Sequence, residues 1–327
     1  MELLRRAAGS FWLRLLVSAG LLTLVALRIN FGDAAERLSQ GRWGLFAAAV
    51  ACLLASFVVG GLRWSIFLRA AGIETTAESA LRAYLIGTFV NTFLPSQVGG
   101  DVARAWIAGT RGTRMRAGAT VVIDRLTALG CLIAIAWAAV LLEAGSVPWQ
   151  IAVALGGATL TFVAVLPVAL VLVRAGGRFR HRLSSRVRLW AAEAVAGARA
   201  CLRPPVLRPT IPLGLVFQGL VALSVWLVAR SIDVDAPFAV IVAVVPPALI
   251  ATAAPISIGG LGVREALYVL LLGYAGVNAT DATLLSLISA LAFVLASLPG
   301  ALALLLRGRR PAVSPADAGP ESRAGTT

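Results

Sequence analysis

Long apolar stretches are the feature that most constrains this chain. A helix crosses the hydrocarbon core of a bilayer with about 20 apolar residues. Six stretches approach that length, at residues 10–29, 43–62, 117–142, 149–173, 211–229 and 283–306. Hydrophobic residues make up 59% of the chain and charged residues only 13%, which excludes a water-soluble globular domain. The sequence therefore predicts an all-α integral membrane protein, a polytopic helical bundle with six full spans.

Two further apolar regions, residues 80–109 and 238–277, are interrupted midway by Pro and Gly and are typical of broken helices. Arg residues collect in alternate loops, and the loops between them contain few. By the positive-inside rule, this pattern predicts a multi-pass protein of a bacterial-type plasma (inner) membrane with both termini cytoplasmic. That topology requires each interrupted region to enter and leave on one side. We therefore expect two re-entrant hairpins of inverted orientation.

We expect one transmembrane domain, residues 1–310, that contains two pseudo-repeats at about 43–142 and 211–306. Residues 174–210, between the repeats, hold nine Arg and have apolar residues at helical spacing. This pattern predicts an amphipathic helix on the cytoplasmic leaflet. Residues 311–327 are rich in Pro, Ala, Ser, Gly and Thr, which predicts a disordered tail.

The formal net charge of +14 comes entirely from Arg, because the chain contains no Lys. In a chain this apolar, we interpret the charge as cytoplasmic loops that face anionic lipid headgroups, with no nucleic-acid partner. Three Cys and one His, His181 in an Arg-rich loop, disfavour a zinc site or a His-based catalytic triad. We expect neither a metal nor a cofactor.

One motif occurs twice, once in each interrupted region. Residues 95–104 and 255–264 share the skeleton Pro, three residues, Gly-Gly, three residues, Arg. Pro ends the incoming helix, and paired Gly lets the backbone turn and approach a ligand closely. Unwound backbone survives in a bilayer only where it is buried in protein or lines a wet cavity. Both turns are therefore predicted to face the protein interior.

The helix that restarts after each turn offers free amides and the positive end of its dipole, which suit a phosphate. An Arg in its first turns can bind the same phosphate bidentately. The predicted lipid-phosphate site therefore consists of Gly99, Gly100, Arg104, Gly259, Gly260 and Arg264. In the alternative interpretation, the turns only allow close helix packing, and an adjacent acid, Asp101 or Glu265, neutralises each Arg.

Ionisable residues inside apolar spans are costly and are functional candidates by default. Asp124 and Arg125 lie within the span 117–142 and, as helix neighbours, do not face each other. Each needs a partner elsewhere, and we expect Arg104 for Asp124 and either Asp101 or Glu265 for Arg125. The three acids, Asp101, Asp124 and Glu265, are candidate proton carriers.

Three weaker signals complete the candidate set. Asn91 lies in the first interrupted region and is expected to satisfy unwound backbone. Arg63 and Trp64 close the second span and are interpreted as an interfacial anchor, with lipid contact as the alternative role of Arg63. The pair Gly60-Gly61 predicts close helix packing.

Four stretches together resemble a known family: residues 61–64, 89–104, 123–126 and 255–265. Their order and spacing are similar to the membrane region of bacterial lysylphosphatidylglycerol synthases and their stand-alone relatives, called flippase-like or UPF0104 membrane proteins. The resemblance implies a protein that moves a lipid or a lipid-linked headgroup between leaflets. In the two-domain synthases a soluble domain transfers an aminoacyl group from tRNA to phosphatidylglycerol. Only 17 residues follow Arg310, so we expect no aminoacyl transfer by this chain.

The leading hypothesis is a flippase, not an enzyme, for an anionic phospholipid or a polyprenyl-phosphate lipid. No Walker motif occurs, so transport is expected to be passive or ion-coupled. One alternative is a scaffold for an envelope-lipid biosynthetic enzyme. Another is a membrane transferase acting on a lipid phosphate, for which the chain has no Lys and a single His.

Overall fold

In the part of the chain that the computed structural model describes, all regular secondary structure is helical. That part comprises residues 39–93, 99–110, 112–143, 145–175, 185–253 and 262–307, with isolated positions 23, 32, 36 and 37. It contains ten helices: α1 (Trp43–Ala70), α2 (Ala77–Phe93), α3 (Gly99–Ala108), α4 (Arg114–Leu142), α5 (Trp149–Ala175), α6 (Ser185–Cys201), α7 (Pro204–Ser231), α8 (Phe238–Ala253), α9 (Val263–Gly273) and α10 (Ala279–Arg307).

Helices α1, α4, α7 and α10 are long and apolar enough to cross a membrane. Together with α5 they cover five of the six predicted spans. The sixth, residues 10–29, lies outside the described residues except for one position, and the predicted tail, residues 311–327, lies outside them entirely. The protein is thus an all-α, multi-pass membrane protein.

The helices follow in the same order in both halves. Helices α1 to α4 contain 28, 17, 10 and 29 residues, and helices α7 to α10 contain 28, 16, 11 and 29. Each half is therefore a long helix, two short helices with a break between them, and a second long helix. The second half begins at Pro204, earlier than the sequence suggests. The two leading helices, α1 and α7, pack extensively against each other at the junction of the halves.

Helices α2 and α3 form the first hairpin. The side-chain Oδ1 of Asn91 accepts a hydrogen bond of 2.7 Å from the amide of Gly100, so Asn91 satisfies backbone at the break as expected. A methyl group at Gly87 would lie 2.8 Å from the Gly100 carbonyl oxygen and 3.0 Å from Cβ of Arg104. Asn91, near the end of α2, contacts the start of α3, whereas Gly87, one turn earlier in α2, also contacts Arg104 farther along α3. The two helices are therefore antiparallel, as expected of a re-entrant hairpin.

Glycines allow this hairpin to pack tightly into the bundle. A methyl group at Gly61 of α1 would lie 2.9 Å from Cα of Leu81 on α2, which confirms the predicted packing role. One turn farther along α2, Gly300 of α10 leaves no room for a methyl group beside the Leu85 carbonyl. The hairpin therefore packs closely against both α1 and α10. The second hairpin consists of α8 and α9, which pack against each other, and residues 254–261 between them lie outside the described residues.

Helix α6 corresponds to the amphipathic helix expected within residues 174–210. It packs on the N-terminal part of α4, where Glu193 forms an ion pair with Arg116 and Gly197 lies close to the Arg116 backbone. Leu189 and Trp190 are more than half exposed on its outer surface. Residues 176–184, which include His181, lie outside the described residues.

Candidate functional site

An ionic network on α1, α3 and α4 is centred on the carboxylate of Asp124. Oδ1 of Asp124 accepts hydrogen bonds from Nε and Nη2 of Arg63 at 3.0 and 2.6 Å. Oδ2 accepts one from Nη1 of Arg104 at 3.1 Å. All three side chains are more than nine-tenths buried. One carboxylate is therefore shared by two arginines that come from two different helices.

The network continues through Asp101, which bridges two arginines in turn. One oxygen of Asp101 lies 3.2 Å from Nε of Arg104, one helical turn away on α3. The other forms an ion pair with Arg125 of α4, whose side chain is half exposed. The network is thus one continuous chain of ion pairs with a formal charge of +1. Its members are Arg63, Arg104, Arg125, Asp101 and Asp124.

Aromatic rings and a hydroxyl hold the network in place. The guanidinium carbon of Arg104 lies 5.0 Å from the ring centres of both Trp64 and Tyr84, a cation–π distance. The indole Nε1 of Trp64 donates a hydrogen bond of 3.0 Å to Oγ1 of Thr120. The prediction that Arg63 and Trp64 form an interfacial anchor was wrong, because α1 continues to Ala70 and buries both side chains.

The network lies well inside the apolar part of the bundle. Asp124 is the eleventh residue of α4, about 15 Å along the helix axis from its start at a rise of 1.5 Å per residue. Helix α7 closes the site from the other half of the chain. A methyl group at Gly214 of α7 would lie 2.5 Å from Nη1 of Arg63, and this nitrogen is buried without a hydrogen-bond partner among the described residues.

The second copy of the motif has a simpler arrangement at the start of α9. Gly262, with φ of 84°, occupies the N-cap in a conformation that favours glycine, and its amide donates to Oε2 of Glu265 at 2.8 Å. The other oxygen of Glu265 accepts hydrogen bonds from Nη2 of Arg264 at 2.7 Å and from the hydroxyl of Ser286 at 3.1 Å. Glu265 is fully buried, whereas the Arg264 side chain is about one-third exposed.

The structure brings most of the predicted site residues into two separate groups. Asp101, Arg104, Asp124 and Arg125 join Arg63 in the ionic network, with the partners expected for Asp124 and Arg125. Gly99 and Gly100 begin α3, next to that network. Arg264 and Glu265 pair in the other half, and Gly259 and Gly260 lie outside the described residues.

Both motif arginines pair with an adjacent acid, as the alternative interpretation expected. Arg104 pairs with Asp101, and Arg264 pairs with Glu265. The Gly100 amide, predicted to face a phosphate, is instead bonded to Asn91. The phosphate site itself stays a prediction. Among the arginines Arg104, Arg125 and Arg264, the last two have partly exposed side chains and Arg104 is buried.

One contributor to the site, Tyr84, was missed at the sequence level, and another, Arg63, was assigned the wrong principal role. Tyr84 has an apolar ring and lies in an apolar helix, and nothing in its spacing distinguishes it from an ordinary packing residue. The position of Arg63 does indicate burial, because Arg63 is the twenty-first residue of a helix whose apolar pattern continues to Ala70. A charge in that position needs an internal partner.

Comparison with known proteins identifies the family. The family model described as "Lysylphosphatidylglycerol synthase TM region" matches residues 11–300. The chain belongs to the lysylphosphatidylglycerol synthase TM region family. It is also similar to a UPF0104 membrane protein of Methanothermobacter thermautotrophicus, with 25% identity over 301 residues, covering 81% of this chain and 86% of that protein. The network that links Arg63, Arg104 and Asp124 lies within the part of the chain that the family model matches.

Proposed function

We propose that this member of the lysylphosphatidylglycerol synthase TM region family is a flippase that moves an anionic phospholipid or lipid-linked phosphate headgroup between the leaflets of the plasma membrane. The ionic network centred on Asp124 is the observation that carries the proposal. An isolated charge in the bilayer core is costly, and three arginines with two aspartates leave a positive excess there. A phosphodiester group, with one negative charge, balances that excess.

Arg125 is the first contact that a lipid phosphate would make in this mechanism. Its half-exposed side chain shares Asp101 with the buried Arg104. Guanidinium groups bind phosphate oxygens as readily as carboxylates, often through two parallel hydrogen bonds. A phosphate that replaces the Asp101 carboxylate as partner of Arg125 would enter the apolar region without leaving an unpaired charge. The acyl chains would remain in lipid.

The repeated architecture supplies a route for the headgroup. Broken helices in two inverted repeats build the central sites of many secondary transporters, where one repeat moves against the other. The packing of α1 against α7 is the interface at which such a movement would occur. The Arg-rich loops lie on the cytoplasmic side in this proposal, with both termini there.

Reconstitution tests the proposal directly. Vesicles containing the purified chain should move fluorescent phosphatidylglycerol between leaflets faster than empty vesicles, as measured by dithionite quenching of the exposed label. Arg104→Gln should slow movement of the label about tenfold, which corresponds to a barrier raised by about 1.4 kcal/mol. The matched control is Arg82→Gln on α2, whose exposed side chain pairs with Glu78 one turn away.

Two results would contradict the flippase proposal. Wild-type vesicles that move the label no faster than empty ones would remove its basis. Equal rates for wild type and Arg104→Gln would show that the ionic network takes no part in transport. Retained folding of Arg104→Gln is checked by a single symmetrical peak in size-exclusion chromatography.

A further inference from the structure

A short segment before α1 joins the ends of three helices on the side that is predicted to face outside. The backbone amide of Arg42 donates a hydrogen bond of 2.8 Å to the carbonyl oxygen of the last residue of α7. The Arg42 guanidinium pairs at 2.9 Å with Asp233, which follows α7. Arg37 pairs at 3.4 Å with Asp281 of α10. We call Arg37 and residues 39–42 the outer strap.

Helix α6 has the equivalent place on the cytoplasmic side of the predicted topology. It precedes α7 as the outer strap precedes α1, and its Glu193 accepts a hydrogen bond of 3.0 Å from Nη2 of Arg116 on α4. Arg116 is the third residue of α4, and Asp281 is the third residue of α10. We call α6 the inner strap. Each strap therefore pairs with the same position of the second long helix of the other half.

Both straps bridge the two halves through ion pairs that water can reach. The side chains of Arg37 and Arg116 are each more than one-third exposed. Exposed ion pairs contribute little to stability, because water and salt screen them. A movement of one half against the other therefore breaks such a pair at a small cost in free energy. Each strap can hold a closed state without making that state permanent.

A sealed cavity lies beneath the outer strap. The cavity has a volume of about 140 Å³ between α1, α7, α9 and α10, and Ser289 lines it about 15 Å along α10. Ala49, Ile232 and Ala282 are buried in one apolar cluster. Each lies, along the chain, between residues that line the cavity and residues that contact the strap. Separation of the helices at this end would therefore admit water to the cavity.

The cavity has a polar group that water would stabilise. The Ser289 hydroxyl is buried and has no hydrogen-bond partner among the described residues. A buried hydroxyl without a partner carries a free-energy penalty, and water that enters a polar cavity removes it. This gain offsets part of the cost of breaking the strap. Opening of the outer end is thus compatible with the interior that it would expose.

We propose that the two straps are a pair of gates, one at each end of the bundle, and that both are closed in this structure. Release of the Arg37–Asp281 pair opens the second half to the outside. Release of the Arg116–Glu193 pair opens the first half to the cytoplasm. The assignment deepens the proposed function and rests on it, because alternating access requires a separate gate on each side of the membrane.

A thiol in the cavity tests the outer gate. Ser289→Cys, in a background with the three native cysteines replaced by Ala, is exposed to a membrane-impermeant maleimide in right-side-out vesicles. Arg37→Gln should raise the initial labelling rate about fivefold, the largest population change that one exposed ion pair produces. The matched control is Arg230→Gln at the same end, because Arg230 pairs with Asp235 within one connection between helices. It should label like the parent protein.

The native thiol of Cys131 tests the inner gate. Cys131 is buried on α4, and its Sγ lies 3.8 Å from the carbonyl oxygen of Ile211 on α7, at the interface between the halves. The background replaces Cys52 and Cys201 by Ala, and inside-out vesicles present the cytoplasmic side to the same maleimide. Glu193→Gln should raise the labelling rate of Cys131 about fivefold, for the reason given for the outer pair.

Two further variants separate the inner ion pair from a general change of charge. Arg116→Glu combined with Glu193→Arg rebuilds the pair with reversed polarity and should return Cys131 labelling to the parent rate. Glu78→Gln removes an acid whose partner lies within the same helix, so it should have no effect. Failure of the exchange to restore the rate, or an equal effect of Glu78→Gln, would overturn the assignment of the inner gate.

Side specificity and transport decide between the remaining outcomes. Arg37→Gln should leave Cys131 labelling from the cytoplasmic side unchanged, and an increase at both ends would show general loosening and overturn the gates. Lipid transport by a protein whose labelling neither strap variant changes overturns the gates and leaves the flippase proposal standing. Labelling that depends on each strap, in a protein that moves no lipid, supports the gates and contradicts the flippase.

Discussion

Among single residues, Asp124 has the largest expected effect on stability. Its carboxylate is the partner of both Arg63 and Arg104, and each of the three side chains is buried. Asp124→Asn removes the negative charge that both arginines share, and Asp101 is then the remaining carboxylate of the network. Removing one member of a buried ion pair costs about 3–5 kcal/mol. We expect a loss of that size in the free energy of unfolding, measured by denaturant titration in mixed micelles.

The control for Asp124→Asn is Asp235→Asn, which removes the same charge from an exposed pair. Asp235 pairs with Arg230 at 2.9 Å, and its side chain is 91% exposed. Exposed ion pairs contribute about 0–1 kcal/mol, so this variant should unfold like the wild type. Similar losses for the two variants would contradict the view that Asp124 supports a desolvated network.

Gly100 is the residue on which the first hairpin depends most closely. A methyl group there would overlap the Gly87 carbonyl oxygen and lie 2.6 Å from Cγ of Asn91. We expect Gly100→Ala to lower the stability by at least the roughly 1–3 kcal/mol typical of overpacking. The loss should appear as a lower melting temperature in fluorescence-detected size-exclusion chromatography.

Gly118→Ala is the matched substitution for Gly100→Ala, because Gly118 lies inside α4 and a methyl group there would meet open space. Alanine is favoured over glycine by about 0.5–1 kcal/mol inside a helix, so this variant should melt at the same temperature or higher. A lower melting temperature for Gly118→Ala than for Gly100→Ala would reverse the expected order and refute the hairpin argument.

At the scale of elements, the predicted position of α6 in the membrane interface can be tested through its tryptophan. Trp190 is half exposed on its outer surface, whereas Trp64 is fully buried. An amphipathic helix in the membrane interface places such a tryptophan at the headgroup level. Lipids brominated near the headgroup should therefore quench part of the fluorescence of the wild-type protein. Trp43, Trp106 and Trp149 are also exposed, so the quenched part should shrink in Trp190→Phe and be retained in Trp64→Phe. Equal quenching in all three proteins would place α6 away from the membrane.

Most elements were predictable from the sequence because their signal is local. Apolar length predicts the long helices, and the Pro and Gly-Gly breaks predict the hairpins. The pairing of Asp124 with Arg104 followed from charge alone. The position of Arg63 did not, because a charge near the end of an apolar run is equally typical of an interfacial anchor. Only the continuation of α1 to Ala70 and the packing of α7 on Arg63 decide between the two.

At the scale of the whole molecule, the two halves share their architecture but differ in their interiors. The first half is filled by ion pairs and aromatic rings, and the second contains small side chains and a cavity. In the flippase proposal, the ionic network of the first half balances the charge of the phosphate.

Inverted orientation of the two halves is the premise on which transport depends, and equivalent loops can test it. Glu74 and Asp235 are both exposed and lie between the first long helix and the first short helix of their halves. In a background with Cys52, Cys131 and Cys201 replaced by Ala, Glu74→Cys and Asp235→Cys each provide one thiol. A membrane-impermeant maleimide added to intact cells should label Asp235→Cys only, because the Arg-rich side is cytoplasmic in the predicted topology. Labelling of both thiols from outside would mean that the repeats run parallel, and the alternating-access proposal would then fail.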